Sequence, residues 1–180
     1  MTELDPQPDS ELDLKAHALD ILERVWNGQE HDLIYEFFLP DVVCHFPTMP
    51  PKHGREIVYE LGDAFRQALP DYHNNIITVL RDGDWVFLRD EVTGTQDGVL
   101  MGIPGTGLPI VFREMWMFRF EGDKIAEFWQ QGDYFGFLQQ IGVAPPLGAG
   151  ALESVGATLK TMGRFAALQA ASKRRAKAAA

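Results

Sequence analysis

Asp90 belongs to a run, Trp85 to Gln96, whose alternation puts Val86, Leu88, Asp90, Val92, Gly94 and Gln96 on one strand face and Phe87, Arg89, Glu91, Thr93 and Thr95 on the other. The first set is the more apolar and is expected to face inward. A carboxyl among such neighbours resists ionisation, so its pKa rises toward values useful for proton transfer. Asp90 is therefore the leading candidate for a catalytic acid or base, against a plainer reading in which a bulge turns it outward or an arginine pairs with it. In the next run Phe112, Glu114, Trp116, Phe118 and Phe120 share a face. Glu114 is either a second inward carboxylate, dividing acid and base roles with Asp90, or a solvated residue near the rim of its strand. His45 offers the residue type that titrates near neutrality, to shuttle a proton or orient a carbonyl, or it is a hydrogen-bonded structural histidine. Cys44 adjoins it, but strand neighbours point to opposite faces, which argues against a thiol–imidazole pair.

Other chemistries lack their residues. Gly102 to Gly107 is glycine-rich without a Walker lysine, and no His/Cys/carboxylate set has the spacing of His-Glu-x-x-His, so neither a nucleotide, a metal nor another cofactor is expected. The formal net charge of −10 and pI near 4.9 disfavour nucleic acid and anionic membranes as partners. A small-molecule enzyme or binder fits better. The lone cysteine suits a reducing compartment, and Met1 to Asp13 is acidic without a signal-like apolar core. No stretch reaches the ~18 consecutive apolar residues of a membrane span. A soluble, cytoplasmic protein is the expectation.

The elements that must position these groups follow from periodicity. Residues 1–9 carry two prolines and three acids without pattern and read as a disordered lead-in. Leu14, Ala18, Ile21, Leu22 and Val25 recur at helical spacing up to Asn27-Gly28, with Ser10 and Asp13 as capping residues. A second helix is expected from about Gln29 to Leu39, ended by Pro40-Asp41, and then a short strand, Val42 to Phe46, and a proline-rich loop. A third helix opens at Gly54, with Ile57, Leu61, Phe65 and Ala68 as its stripe. Strands follow over Tyr72–Leu80, Trp85–Gln96, Leu108–Phe120 and Lys124–Gln131, and a closing helix over Asp133–Ile141. Helices first and a strand meander afterwards predict an α+β domain, residues 10–143, in which a curved antiparallel sheet wraps the helices. His17 and His31 are expected to face solvent.

Residues 144–180 differ in composition. They are rich in alanine and glycine and carry a charge balance of +5, leaving −15 for the rest. Leu152, Val155, Leu159, Met162 and Ala166 fall at helical spacing, so the tail is expected to be partly an amphipathic helix on its own body or on a partner subunit.

Several segments, in order, resemble the SnoaL-like polyketide cyclases of the NTF2-like superfamily: Phe65 to Pro70-Asp71, Gly83-Asp84-Trp85-Val86, Gly94-Thr95-Gln96-Asp97-Gly98, Gly102 to Gly107, Phe118-Arg119-Phe120, Lys124 to Trp129, Asp133 and Leu138 to Gly142. The resemblance spans roughly residues 12–143. It implies a cone-shaped barrel with one deep pocket for a small apolar carbonyl-bearing ligand, a homodimer, and ring closure by an aspartate base with an assisting histidine and no metal or cofactor. Gln130 falls where that aspartate sits and Trp116 where the histidine sits, and Gln96 stands where many relatives have a histidine. The resemblance thus makes Trp116, Gln130, Gln96, Leu88 and Phe118 candidate substrate-contacting residues and places His45 over the pocket mouth. Two functions stand side by side: a cofactor-free acid–base enzyme performing cyclisation, isomerisation, dehydration or hydrolysis, and a non-catalytic binding protein.

Overall fold

The computed structural model describes residues 12–145 apart from Thr48, together with scattered positions between 148 and 174. The lead-in 1–9, Ser10, Leu152 and Met162 lie outside the described residues.

Helix α1 (Leu14–Ile21) starts at Asp13, whose carboxylate accepts from the backbone N–H of Lys15 and Ala16. It runs on into a wider π-type segment, Leu22–Asn27. Together they bury Leu14, Ala18, Ile21, Leu22 and Val25, the stripe expected from the sequence. The second helix is shorter than expected: a 3₁₀ turn (His31–Leu33) leads into α2 (Ile34–Phe37), and strand β1 (Phe38–His45) already begins where the helix was to continue. Pro40 therefore lies inside β1, at an exposed position where it breaks no buried ladder bond. Strand β2 (Lys52–His53) and helix α3 (Arg55–Ala68) follow.

Strands β3 (His73–Asp82), β4 (Trp85–Gln96), β5 (Leu108–Glu121) and β6 (Lys124–Gly132) form the meander, closed by α4 (Tyr134–Gln140). Two-residue turns link β3 to β4 and β5 to β6. Gly83 and Gly122 lead them at φ +56° and +64°, the left-handed geometry such hairpins need. The six strands run in the order β2-β1-β6-β5-β4-β3. The sheet departs from the expectation in two respects: β1 pairs with β6 in parallel, and the sheet is curved but not closed, with edges at β2 and β3.

Two apolar clusters fill the concave side. One packs α1, α2 and the π-type segment on Val86, Leu88, Trp116, Phe118 and Phe128, and the other joins Leu69, Val92, Ile110, Phe112 and Phe137 toward α4. Between their rows, Leu88–Trp116 and Val92–Phe112, lies the cross-strand pair Asp90–Glu114. The described positions from Val155 to Arg174 are helical. Val155 and Leu159 are exposed there, and the Thr161 hydroxyl donates to the Gly142 carbonyl at 2.9 Å.

Candidate active site

Asp90 and Glu114 oppose each other directly on antiparallel β4 and β5, and both are buried on the concave side, 1% and 6% exposed. No arginine or lysine among the described residues forms an ion pair with either. Each carboxyl instead accepts one amide N–H: Asn74 Nδ2 to Asp90 Oδ2 at 2.5 Å, and Gln130 Nε2 to Glu114 Oε2 at 2.6 Å. Asn74 is itself fixed by Asn27 at the end of the first helical segment, which accepts from its backbone N–H at 2.7 Å and donates to its carbonyl at 3.0 Å. Gln130 is held in turn by the Tyr134 hydroxyl, which donates to its Oε1 at 2.8 Å. Asp90 Oδ1 is buried without a hydrogen-bond partner.

This arrangement disfavours charge. Burial pushes Asp90 up to about 6, against the Asn74 hydrogen bond. Burial, reinforced by the Asp90 charge, pushes Glu114 up to about 8, against the Gln130 hydrogen bond. Two buried carboxyls facing each other resist ionising together, so the pair as a unit retains a proton toward neutral pH. Gln130 donates to Glu114 Oε2, which leaves Oε1 as the oxygen of Glu114 open to carry that proton. Glu114 can then act as a general acid, with the Asp90 carboxylate beside it.

Only Glu114 reaches open space. With Trp26, Leu61, Phe65, Tyr72, Trp116, Gln130 and Tyr134 it lines an inner recess of about 20 Å³, little more than one water-sized centre. Asp90, beside it on β4, lines none of the cavities described around the site. A groove of about 560 Å³ adjoins the recess across Leu61, Phe65 and Tyr134, and is lined otherwise by apolar side chains such as Phe46, Ile57, Ala64 and Leu100 and by the charged Lys52 and Glu60. Both phenols on the recess stay neutral, since burial raises the pKa of Tyr72 and of Tyr134; the Tyr72 hydroxyl accepts from Asn74 Nδ2 at 3.4 Å.

The other sequence candidates fall elsewhere. Trp116 walls the recess, its ring 6.0 Å from that of Trp26. Leu88 and Phe118 share the inward face but are sealed in the first cluster, short of the recess. Gln96 is fully buried. Its amide N–H groups donate toward the carbonyls of Gly98, Ile103 and Pro104, and its Oε1 accepts from the Thr106 backbone and hydroxyl, so it pins the loop between β4 and β5 and has nothing left for a ligand.

His45 does not overlook the recess. Strand alternation puts it on the outer face, stacked on Trp129 at 3.7 Å and bonded to Glu127 Oε1 at 2.8 Å. Burial would raise Glu127, but the His45 and Arg119 hydrogen bonds outweigh it and hold the carboxyl below its ordinary range. Cys44 points the other way, into the core, where burial pushes its thiol up to about 12. His45→Ala is thus expected to lower stability by about 1 kcal/mol and to leave catalysis at the recess unchanged. Paired melting curves and activity assays check both halves.

His31 is buried rather than solvent-facing, its ring edge-on to Trp26 and Tyr59, and burial lowers its pKa. Three site residues, Tyr72, Asn74 and Tyr134, escaped sequence reasoning. The one available signal was the parity of Asn74, which pairs with inward Val92 across the β3–β4 ladder. Among the described residues no group of His, Cys, Asp and Glu has the geometry to hold a metal ion, and no helix is long and apolar enough to cross a membrane.

Comparison with known proteins agrees with this architecture. A candidate SnoaL-like polyketide cyclase from Jannaschia sp. CCS1 superposes with a TM-score of 0.68 at 22% identity, covering 78% of this chain and 99% of its own. AclR of Streptomyces galilaeus, a candidate hydroxylase, gives 0.68 at 26% identity over 76% of this chain and 100% of its own. IdmH of Streptomyces antibioticus, a candidate polyketide cyclase, gives 0.62 at 25% identity over 71% and 98%. No curated protein matches in sequence. The SnoaL-like polyketide cyclase family model matches residues 16–141, and the chain belongs to that family.

Proposed function

We propose that the protein is a cofactor-free general acid–base enzyme acting on a small apolar carbonyl-bearing molecule, with Glu114 as its catalytic residue. The carrying observation is the opposed Asp90–Glu114 pair, which has no cationic partner among the described residues and one member of which borders the recess. In the family resemblance the base stands at position 130; here an amide stands there and the carboxyl stands one strand over, on β5. Gln130 then serves as the donor that fixes Glu114, and Asp90 as the positioning residue that keeps the proton on it.

Glu114 Oε1–H gives its proton to a substrate carbonyl oxygen, and the resulting carboxylate takes a proton from the adjacent carbon. The C–H pair becomes the C=C bond of an enol, the carbonyl π pair becomes its O–H bond, and Glu114 ends protonated. An enol formed there can attack a second carbonyl in the same molecule, closing a ring, or expel a β-hydroxyl. The test is exchange of the methyl protons of 2-acetylnaphthalene for deuterium in D₂O, followed by proton NMR. The acid form is the active one, so exchange should decline as pH rises through about 8. In Asp90→Asn, which removes the neighbouring charge, that limb should move to lower pH. A second reading, binding without conversion, is favoured by the amide at position 130; it predicts uptake of the ketone with no exchange above the buffer rate.

The outer face supports a homodimer. Leu80, Phe87, Met117, Trp129 and His45 line up in register across five strands, and Leu80, Phe87, Trp129 and nearby Met115 are exposed. An apolar row of this kind on a solvent face marks an association surface. Sedimentation of the full chain should give twice the monomer mass, and Met115→Arg, which adds charge beside Arg89, should give the monomer. A wild-type monomer at micromolar concentration would contradict this.

A further inference from the structure

Among the described residues Phe65 is the one side chain that borders all three cavities around the site: the inner recess, the outer groove, and a narrow crevice of about 10 Å³ against His31 and Arg66. Helix α3 holds it firmly. One turn earlier Gly62 brings the helix backbone directly onto Trp26, where a Cβ would come within 2.8 Å of the indole ring. Ile57, Leu61 and Phe65, the apolar stripe of α3, are only half-buried, because they face the groove instead of core. The groove is large and mostly apolar. The recess is about 20 Å³ and is bounded by the carboxyl of Glu114, the amide of Gln130 and the phenols of Tyr72 and Tyr134.

From this mismatch in size and polarity we infer that Phe65 is the specificity-determining residue: with Leu61 and Tyr134 it forms a partition that admits a ligand end-on. An elongated apolar body lies in the groove, and a single terminal carbonyl passes the ring of Phe65 to reach Glu114 and Gln130. A ketone whose carbonyl is flanked by bulk on both sides is refused. The inference deepens the acid–base reading of Glu114 by naming the shape of ligand that site takes, and it rests on that reading for the identity of the polar end.

Two ketones of similar size, labelled with ¹³C at the carbonyl, test it in the full-length protein: 2-acetylnaphthalene, whose carbonyl is terminal, and benzophenone, whose carbonyl is central. Wild type should bind the first with its carbonyl resonance shifted downfield by hydrogen bonding, and should bind benzophenone weakly and without that shift. Phe65→Ala, which merges recess and groove, should improve benzophenone affinity about tenfold or more and produce the shift. Phe65→Leu should move both readouts in the same direction by less, and serves if the alanine variant melts early. Phe65→Trp should suppress the shift of 2-acetylnaphthalene as well. Equal carbonyl shifts for the two ketones in wild type, or no change on truncating Phe65, would overturn the inference. Selectivity that persists in Glu114→Gln alongside a wild type that exchanges no methyl protons would sink the acid–base reading and leave the partition standing.

Discussion

Replacing Glu114 by glutamine is expected to cut α-proton exchange by about 10²–10⁴-fold, the usual contribution of a positioned proton donor. The substitution keeps the shape of the side chain and an oxygen to accept from Gln130, so the recess should survive and only the transferable proton is lost. Stability should move the other way. Both carboxyls have folded-state pKa values above their unfolded ones, so the fold binds more protons than the unfolded chain between about pH 4 and pH 8. Their contribution is fully present below about pH 4 and is lost as pH rises through about 6 for Asp90 and about 8 for Glu114. Removing the ionisable group at position 114 should therefore raise stability at neutral pH, because there the unfolded chain gains by releasing a proton that burial makes the folded Glu114 keep. It should also flatten the decline of the melting temperature toward alkaline pH. A variant that loses activity while gaining stability separates a site residue from a structural one.

Gln96→Leu should behave in the opposite manner, with a large loss of stability and no direct effect on proton transfer. The glutamine is fully buried and satisfies three carbonyls, one backbone N–H and the Thr106 hydroxyl. Leucine matches its volume but strips the side-chain partner from the Gly98 and Pro104 carbonyls and the Thr106 hydroxyl, while the Ile103 carbonyl keeps the Leu100 N–H and the Thr106 N–H keeps the backbone carbonyl of residue 96; at about 1–3 kcal/mol for each group that water cannot reach, a net loss of about 2–4 kcal/mol is expected in urea denaturation. The loop it pins carries Leu100 and Met101 to the groove, and Gly105 in that loop packs so closely on the Asp97 carbonyl that a side chain there would overlap it. Ligand affinity should fall with the loop, while exchange at saturating ketone should hold. A Gln96→Leu protein as stable as wild type would show that the amide is not the pin.

These two residues also illustrate what the chain reveals without coordinates. The inward parity of β4 was legible because its residues alternate cleanly, and the structure preserves that parity through Gln96. Asp90 and Gln96 then look equivalent, two polar residues on one inward face. What divides them is the company each keeps. Gln96 meets a loop folding back from ten residues away, while Asp90 meets Glu114, Asn74 and, among the described residues, no cation, and no local pattern encodes those meetings. The assignment of His45 failed for a similar reason. β1 begins at Phe38, four residues earlier than the Val42 start expected after Pro40, and only pairing with β6 fixes that His45 shares a face with Glu127 and Trp129 rather than with Gln130. The meander, the hairpin glycines and the span of α3 were readable because each depends on local spacing, whereas of the expected α3 stripe only Ala68 is buried: the helix packs Val58, Gly62 and Ala68 inward and turns Ile57, Leu61 and Phe65 to the groove. The phenols of Tyr72 and Tyr134 were not, since they reach the site from the start of one strand and the first turn of a helix.

Whether a buried acid remains protonated at neutrality beside the recess can be read by infrared difference spectroscopy of the carboxyl C=O stretch. Wild type at about pH 7 should carry one such band, absent from Glu114→Gln and bleaching as pH passes about 8. Two ionised carboxylates at neutral pH, with no protonated band to lose, would contradict the assignment of Glu114 as the acid.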